Sequence, residues 1–464
     1  MQIQFFGAAQ TVTGSKHLIT TDKGVKILLD CGMFQGIDTT EMNQSFGFEP
    51  ASVDYLVLSH AHIDHCGLIP RLVAKGFTGD IYCTDATRDL CQYLLSDSAF
   101  IQESDLKRVN KRRINRNDAP IEALYTQDDV EKTMLLFKTI EYHQPFYLTP
   151  EVQVCFYDAG HLLGSASVLL TTKEADGEKK LWFTGDIGRP DDRILRSPEP
   201  VPQADYIITE STYGDRLHES QPDMKGHLLK IVYETCVEKR GKLIIPAFAV
   251  DRTQELIFAL DQLESEGRLP RIKVFIDSPL AINATRVMRD HEECFNPDIL
   301  AYIKKDGDAF DFPNLNYVSD VEKSKAINFL KEPCIIISAS GMAEAGRIKH
   351  HIKNNIENPR NTILIVGYCS PRSLGGALKR GDEEVKIFGE QFTVRAKVEI
   401  MNSFSAHADY KEMIEYLSTQ DINKIKKLFL VHGDYATQLV FKEHLEKAGF
   451  HDICIPAMKE KVAL

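Results

Sequence analysis

Residues 55–65 read Tyr-Leu-Val-Leu-Ser-His-Ala-His-Ile-Asp-His, placing imidazoles at His60, His62 and His65 and a carboxylate at Asp64. The run 55–58 is apolar and strand-like, so the histidines sit on a loop at a strand end. Three imidazoles and a carboxylate within six residues are costly to place together unless something binds them. Imidazole nitrogen and carboxylate oxygen suit borderline divalent metals such as zinc. His60 and His62 lie two apart, which on extended backbone points both to one side. Asp64 and His65 then turn towards a second position.

Working outward, further β-rich runs are read at 25–29, 152–156, 167–170, 181–183 and 206–208, and several end in polar residues. Asp30, His161, Thr184-Gly185-Asp186 and Thr209-Glu210 stand at such ends, as does Val431-His432-Gly433-Asp434 after the run 427–431. In layered α/β folds, chemistry gathers where strands run out into loops. Counting donors predicts two metals, one on His60, His62 and His161 and one on Asp64, His65 and His432, with Asp186 between them. Each metal then keeps an open position, as catalytic sites do. Two metals about 3.5–4 Å apart suit phosphoryl transfer. Asp30 is placed to orient a ligand from behind.

Between 213 and 395 the pattern changes to longer strand–helix alternation: 242–245 into 252–260, 271–276 into 278–288, 333–337 into 343–352, then 362–366. This predicts a parallel-sheet domain of βα units inserted into another domain, which residues 396–464 complete, including a strand at 397–400. The division expected is 1–212, 213–395 and 396–464. Residues 85–140 read as helical, and 105–116 hold six basic residues and one acidic. That segment is either a solvated helix face or a contact for a polyanion.

The 464 residues carry 55 Lys and Arg against 67 Asp and Glu, a formal net charge of −12. That excludes nucleic-acid binding by bulk charge but not by a local basic surface. No apolar run approaches the roughly 20 residues of a membrane helix, so no membrane association is expected. The N-terminus lacks the basic and apolar regions of a signal peptide. Ten cysteines with no CxxC pair suggest reduced thiols and a cytoplasmic location.

The set Asp30, His60-x-His62-x-Asp64-His65, His161 and Asp186 resembles the metallo-β-lactamase superfamily. The chain further resembles its β-CASP branch of nucleic-acid-cleaving metallohydrolases. The residues that carry this are Thr209-Glu210-Ser211-Thr212-Tyr213-Gly214 (motif A), Ser405-Ala406-His407-Ala408-Asp409 (motif B) and Val431-His432-Gly433-Asp434 (motif C). Supporting stretches are 246–255 and Ser338-Ala339-Ser340-Gly341-Met342.

The resemblance implies an αββα metallo-β-lactamase sandwich interrupted by a parallel-sheet α/β β-CASP domain, with the active site in the cleft between them. It implies that His432 is a metal ligand, which favours RNA over DNA, and that His407 is the general acid with Glu210 orienting it. Physical logic agrees, because a departing ribose oxygen needs a proton near neutral pH. A loop of Ser338, Ser340, Gly341 and Met342 running from a strand into a helix is implied to bind phosphate, since free N–H groups at a helix start attract it. Arg252, Ser373 and Gly375 are further candidates for RNA contact.

The expected activity is a zinc-dependent ribonuclease (manganese fitting the same ligands) acting on single-stranded RNA, endonucleolytic, with 5′ exonuclease action open. A DNA nuclease, a small-molecule hydrolase and a catalytically silent scaffold are the rivals; substrate preference and metal content separate them. A homodimer is compatible with the sequence. The nine other histidines and the single Trp182 are read as surface or structural residues.

Overall fold

A computed structural model describes residues 1–36, 39–218, 223–367, 369–401 and 406–464. The chain divides into two compact units, Met1–Leu217 with Ala406–Leu464, and His218–Ser405.

The first unit is built on two seven-stranded sheets. One runs in the order Lys461–Ala463, Gln2–Phe5, His17–Thr20, Lys26–Leu29, Tyr55–Val57, Asp80–Cys83, Phe137–Thr139. The other runs Ile453–Cys454, Lys427–Leu430, Tyr206–Thr209, Gly177–Phe183, Ala166–Glu174, Val152–Asp158, Phe146–Thr149. Their inner faces share one core, with Ile3, Phe5, Ile27 and Val57 of the first against Val154, Val168, Phe183 and Phe429 of the second. Alternation puts Trp182, Ile207 and Leu428 on the opposite face of the second sheet. There the helices Tyr410–Leu417 and Tyr435–Lys447 cover them with Met413, Leu417, Phe441 and Leu445. Trp182 is a core residue, fully buried.

Strand direction decides where the loops go. Gly177–Phe183, Tyr206–Thr209 and Lys427–Leu430 are mutually parallel. Val152–Asp158 is antiparallel to Ala166–Glu174, which is antiparallel to Gly177–Phe183, so it runs the same way. Four C-terminal strand ends therefore open on one edge of the sheet. In the other sheet, Lys26–Leu29 and Tyr55–Val57 are parallel neighbours that end together.

The second unit holds a six-stranded parallel sheet in the order Leu315–Tyr317, Lys273–Ile276, Cys334–Ser338, Lys242–Pro246, Thr362–Ile365, Lys397–Ile400. Here the sequence expectation needs correcting. Residues 397–400 do not return to the first domain; they pair with Thr362–Ile365 as an edge strand of the second sheet. A short strand carries no local mark of which sheet it joins. Residues 85–140 are not continuously helical either: Asp85–Ile114 and Gln127–Met134 are helices, and Phe137–Thr139 is a sheet edge. Among the described residues no helix is long and apolar enough to cross a membrane.

Candidate metal centre and active site

The turns that leave the strands are unusual in backbone terms. Asp30, Gly160, Gly185 and His432 all have φ between 53° and 62°. Two of these four are not glycine, and such geometry persists only where surrounding structure over-determines it. At Asp30 the over-determination is visible. Its Oδ1 accepts from Ser59 N at 2.8 Å; its Oδ2 accepts from Ser59 Oγ at 2.9 Å, Ser15 Oγ at 3.2 Å and His65 Nδ1 at 2.6 Å. The neighbouring Gly32 is forced by proximity, because a Cβ there would lie 1.6 Å from Asp64 O.

The side chains converge as two groups. His60, His62, His161 and Asp186 form one, and Asp64, His65 and His432 the other, with donor atoms in each group within 4.8 Å of one another. Asp186 faces both. Its Oδ2 lies 3.5 Å from His60 Nε2 and from His161 Nε2, and its Oδ1 lies 3.3 Å from His65 Nε2 and 3.7 Å from His432 Nε2. Asp64 Oδ2 stands 3.5 Å from His432 Nε2.

Most of the imidazoles are held by the nitrogen that faces away. His60 Nδ1 meets Ser59 Oγ at 3.0 Å, His65 Nδ1 meets Asp30, His161 Nδ1 meets Ala406 O at 3.3 Å, and His432 Nδ1 meets Thr212 Oγ1 at 3.0 Å. Such partners set the tautomer that leaves a lone pair on the inward nitrogen. The hydroxyls of Ser59 and Thr212 and the carbonyl of Ala406 are functional groups that the sequence reading passed over. Thr212 lies within motif A, which was the available signal.

The inward atoms fit metal ions. His65 Nε2 and His432 Nε2 approach to 3.1 Å, as do His60 Nε2 and His62 Nδ1, and His161 Nε2 lies 3.2 Å from His62 Nδ1. Nitrogens packed against nitrogens gain little unless a cation sits among them, and Asp186 Oδ1, fully buried, takes no hydrogen bond among the described residues. Burial, aided by neighbouring imidazoles, drives His60 and His161 well below the ordinary imidazole range, and burial takes His62 down to about 4. Asp64 and Asp186 fall below the usual carboxylate range; burial opposes this, but the surrounding imidazoles outweigh it. For His65, burial is outweighed by Asp186 and Asp30, which raise it. Neutral imidazole and ionised carboxylate are the states in which such groups bind metal, so the shifts of His60, His62, His161, Asp64 and Asp186 favour binding, whereas His65 must release a proton to a metal that binds it.

A third group adjoins the first two. His407 Nδ1 lies 3.0–3.1 Å from both carboxylate oxygens of Glu210. Glu210 Oε1 also accepts from Ile187 N at 2.5 Å, which fixes the carboxylate. The His407 ring centroid is 4.5 Å from that of His161 and 6.0 Å from that of His432. Burial would lower the His407 pKa, but Glu210, with Asp186 and Asp64 behind it, raises it to about 9. Ser405 of motif B lies outside the described residues.

Comparison with known proteins bears on the same residues. A metallo-β-lactamase superfamily domain matches at 18–199, a β-CASP domain at 253–378, and a Zn-dependent metallo-hydrolase RNA specificity domain at 392–456. The chain is 34% identical over 450 residues to a ribonuclease of Thermus thermophilus, spanning 97% of each protein. The chain belongs to the β-CASP branch of the metallo-β-lactamase superfamily. It is also 32% identical to an RNase J-like protein of Methanocaldococcus jannaschii, over 95% of this chain and 94% of that one. With cleavage and polyadenylation specificity factor 73 of Drosophila melanogaster it shares 31% identity, over 94% of this chain and 60% of that protein.

In the β-CASP unit, two candidate phosphate-binding stretches interlock. Gly375 N donates to Met342 O at 3.0 Å and Leu374 N to Glu344 Oε1 at 2.6 Å. Ser338 is buried, its hydroxyl donating to Asp277 O at 2.7 Å. Ser340 Oγ accepts from Glu344 N and Ala345 N at 3.2 and 3.3 Å. Gly341 is required by contact, since a Cβ would meet the Phe248 ring at 2.7 Å. Ser373 caps the helix Leu374–Arg380 through Gly376 N.

Two expectations change here. The helix after this loop is Ile348–Asn355, five residues later than the sequence suggested, because residues 339–347 form an irregular loop. The Arg252 side chain is only 7% exposed, and its guanidinium is paired with Glu255 and Asp251. It is occupied by its own helix turn and is not presented to a phosphate.

Proposed function

We propose that this chain is a zinc-dependent ribonuclease that cleaves internal phosphodiester bonds of single-stranded RNA. The observation that carries the reading is the half-buried His407, paired with the buried Glu210, set beside two groups of metal donors that share Asp186. Similarity to a ribonuclease and to an RNase J-like protein supports the choice of RNA.

His60, His62 and His161 would hold one zinc, and Asp64, His65 and His432 another, with Asp186 serving both; manganese suits the same donors. When bound, such a pair supplies a water nucleophile at neutral pH and neutralises charge on the phosphoryl oxygens. The protein's own groups do the rest. Asp30, Ser59, Thr212 and Ala406 O keep the imidazole nitrogens pointed inward. Glu210 occupies His407 Nδ1 and stabilises the imidazolium, so Nε2 carries the proton that goes to the leaving 3′ oxygen. The products are a 3′-hydroxyl and a 5′-phosphate.

The test is a time course on one internally labelled single-stranded RNA, run beside a matched DNA, with wild type and His407→Ala. Internal RNA fragments from wild type, strongly slowed in the variant, are the expected result. Mononucleotides from the first time point overturn internal cleavage. Equal cutting of DNA overturns the RNA assignment, and no cleavage by zinc-loaded wild type overturns the reading altogether.

A further inference from the structure

The helix Asp85–Ile114 starts against the candidate active site and ends far from it. At its first turn, Thr84 Oγ1 and Thr87 Oγ1 donate to Gly164 O at 2.5 and 2.9 Å, in the turn that carries His161. The helix then runs on for 30 residues. At 1.5 Å per residue its last two turns lie about 35–42 Å along the axis from that contact.

Its distal half is the basic segment singled out in the sequence, and the structure sorts its residues by face. Taking 100° per residue, Lys107, Lys111 and Arg112 fall within an arc of about 140°. All three are exposed. Among the described residues no carboxylate forms an ion pair with any of them. Asn110 and Arg113 point to the other side, where they bind the returning chain. Asn110 exchanges two hydrogen bonds of 2.8 Å with the Ile121 main chain, and Arg113 Nε donates to Ala119 O at 2.7 Å. The loop is thus pinned along one face, and the cationic face is left to solvent. Phe100 lies two turns before Lys107, within about 20° of it on the same wheel, and is 65% exposed.

A large exposed aromatic in line with unpaired cations has no use in packing. It matches how single strands are held: cations track the phosphates and an aromatic ring stacks on a base. The chain's net charge is −12, so this face is a local exception and not a sample of the surface. We propose that the face bearing Phe100, Lys107, Lys111 and Arg112 is a second contact for the RNA strand, remote from the metal donors. The proposal rests on the ribonuclease reading and extends it to substrate length. At 3.4 Å per stacked nucleotide, about ten nucleotides separate the two contacts. Short RNA meets one contact and long RNA meets both.

The experiment uses the full chain, loaded with zinc, and reads binding and cleavage of a 5-mer and a 25-mer RNA. The variants are the triple Lys107→Gln/Lys111→Gln/Arg112→Gln, the single Phe100→Ala, and a charge-matched control, Lys304→Gln/Lys305→Gln/Lys331→Gln. For the 25-mer, the triple variant is expected to bind about 10- to 100-fold more weakly at 0.1 M salt, with its log–log salt slope shallower by about 2. Phe100→Ala is expected to weaken binding about 5- to 100-fold with the slope unchanged. Cleavage of the 5-mer and kcat on the 25-mer stay at wild-type values, and KM on the 25-mer rises.

Unchanged 25-mer affinity in the triple variant, or a loss no larger than the control's, overturns the proposal. So does a triple variant that keeps RNA but loses phosphatidylserine vesicles bound by wild type, which assigns the face to a membrane surface. If wild type binds neither RNA, the ribonuclease reading itself fails, which is distinct from failure of this contact alone.

Discussion

Asp30→Asn separates holding the fold from holding the metal. The Asp30 carboxylate is fully buried and receives four hydrogen bonds, from Ser59 N, Ser59 Oγ, Ser15 Oγ and His65 Nδ1. Asparagine tolerates the φ of +58° and keeps one acceptor for Ser59 N. Its amide nitrogen then faces His65 Nδ1, donor against donor. The imidazole responds by moving its proton to Nε2, the atom aimed at Asp186 and His432. Loss of such an orienting partner lowers metal affinity 10–100-fold, equivalent to about 1.4–2.7 kcal/mol of metal-linked stability at saturating metal.

Alanine differs in kind. It leaves the Ser59 N–H and two serine hydroxyls without their carboxylate acceptor at about 1–3 kcal/mol each, about 3–9 kcal/mol together. That total consumes much of a domain's 5–15 kcal/mol. The assay is chelator-competition titration of bound metal, with thermal unfolding in the metal-free and metal-loaded forms. For Asp30→Asn the metal-free melting temperature is expected to move little, while the metal-induced increase shrinks. A variant with wild-type metal affinity but an alanine-like loss of stability would refute the reasoning and reduce Asp30 to a turn residue.

Other perturbations have equally definite outcomes. His407→Ala should lower kcat on RNA about 10²–10⁴-fold with bound metal unchanged by elemental analysis; metal loss would mean that His407 is a ligand. Gly32→Ala forces a Cβ to within 1.6 Å of Asp64 O, so a shift near 1 Å in that turn should reduce activity about 10²-fold; wild-type activity would show that the turn is compliant. Asp261 is buried beside Tyr302, and burial first, then Asp306, Asp308 and Glu264, raise it to about 7. Its folded pKa lies above the unfolded one, so ionisation destabilises the fold as pH climbs from about 4 to 7. Asp261→Asn keeps the Tyr302 hydrogen bond and should melt higher than wild type above pH 7, with the gap closing towards pH 4; a pH-independent difference, read by thermal scans across pH, would contradict this.

The residues that meet at the candidate metal centre were legible because their signal is local. His60, His62, Asp64 and His65 are set by the spacing of one loop, and Asp30, His161, Asp186, Glu210 and His432 by the ends of apolar runs. Which runs belong to one sheet was not local. Residues 397–400 read as a strand, and only pairing with Thr362–Ile365 assigned them to the second unit. Likewise, Arg252 reads as an available cation until Glu255 and Asp251 close on it.

By itself the sequence determined the donor types, their order and the strand-end loops that carry them. The tertiary structure alone decided which nitrogen of His60, His65, His161 and His432 faces inward, since Ser59, Asp30, Ala406 and Thr212 hold the other one. It also decided that Asp186 is shared between two groups and that the basic helix turns Lys107, Lys111 and Arg112 to solvent. The physical reason is range. Backbone periodicity places neighbours a few residues apart, whereas a hydrogen bond between residues 212 and 432 depends on two parallel strands ending at the same edge.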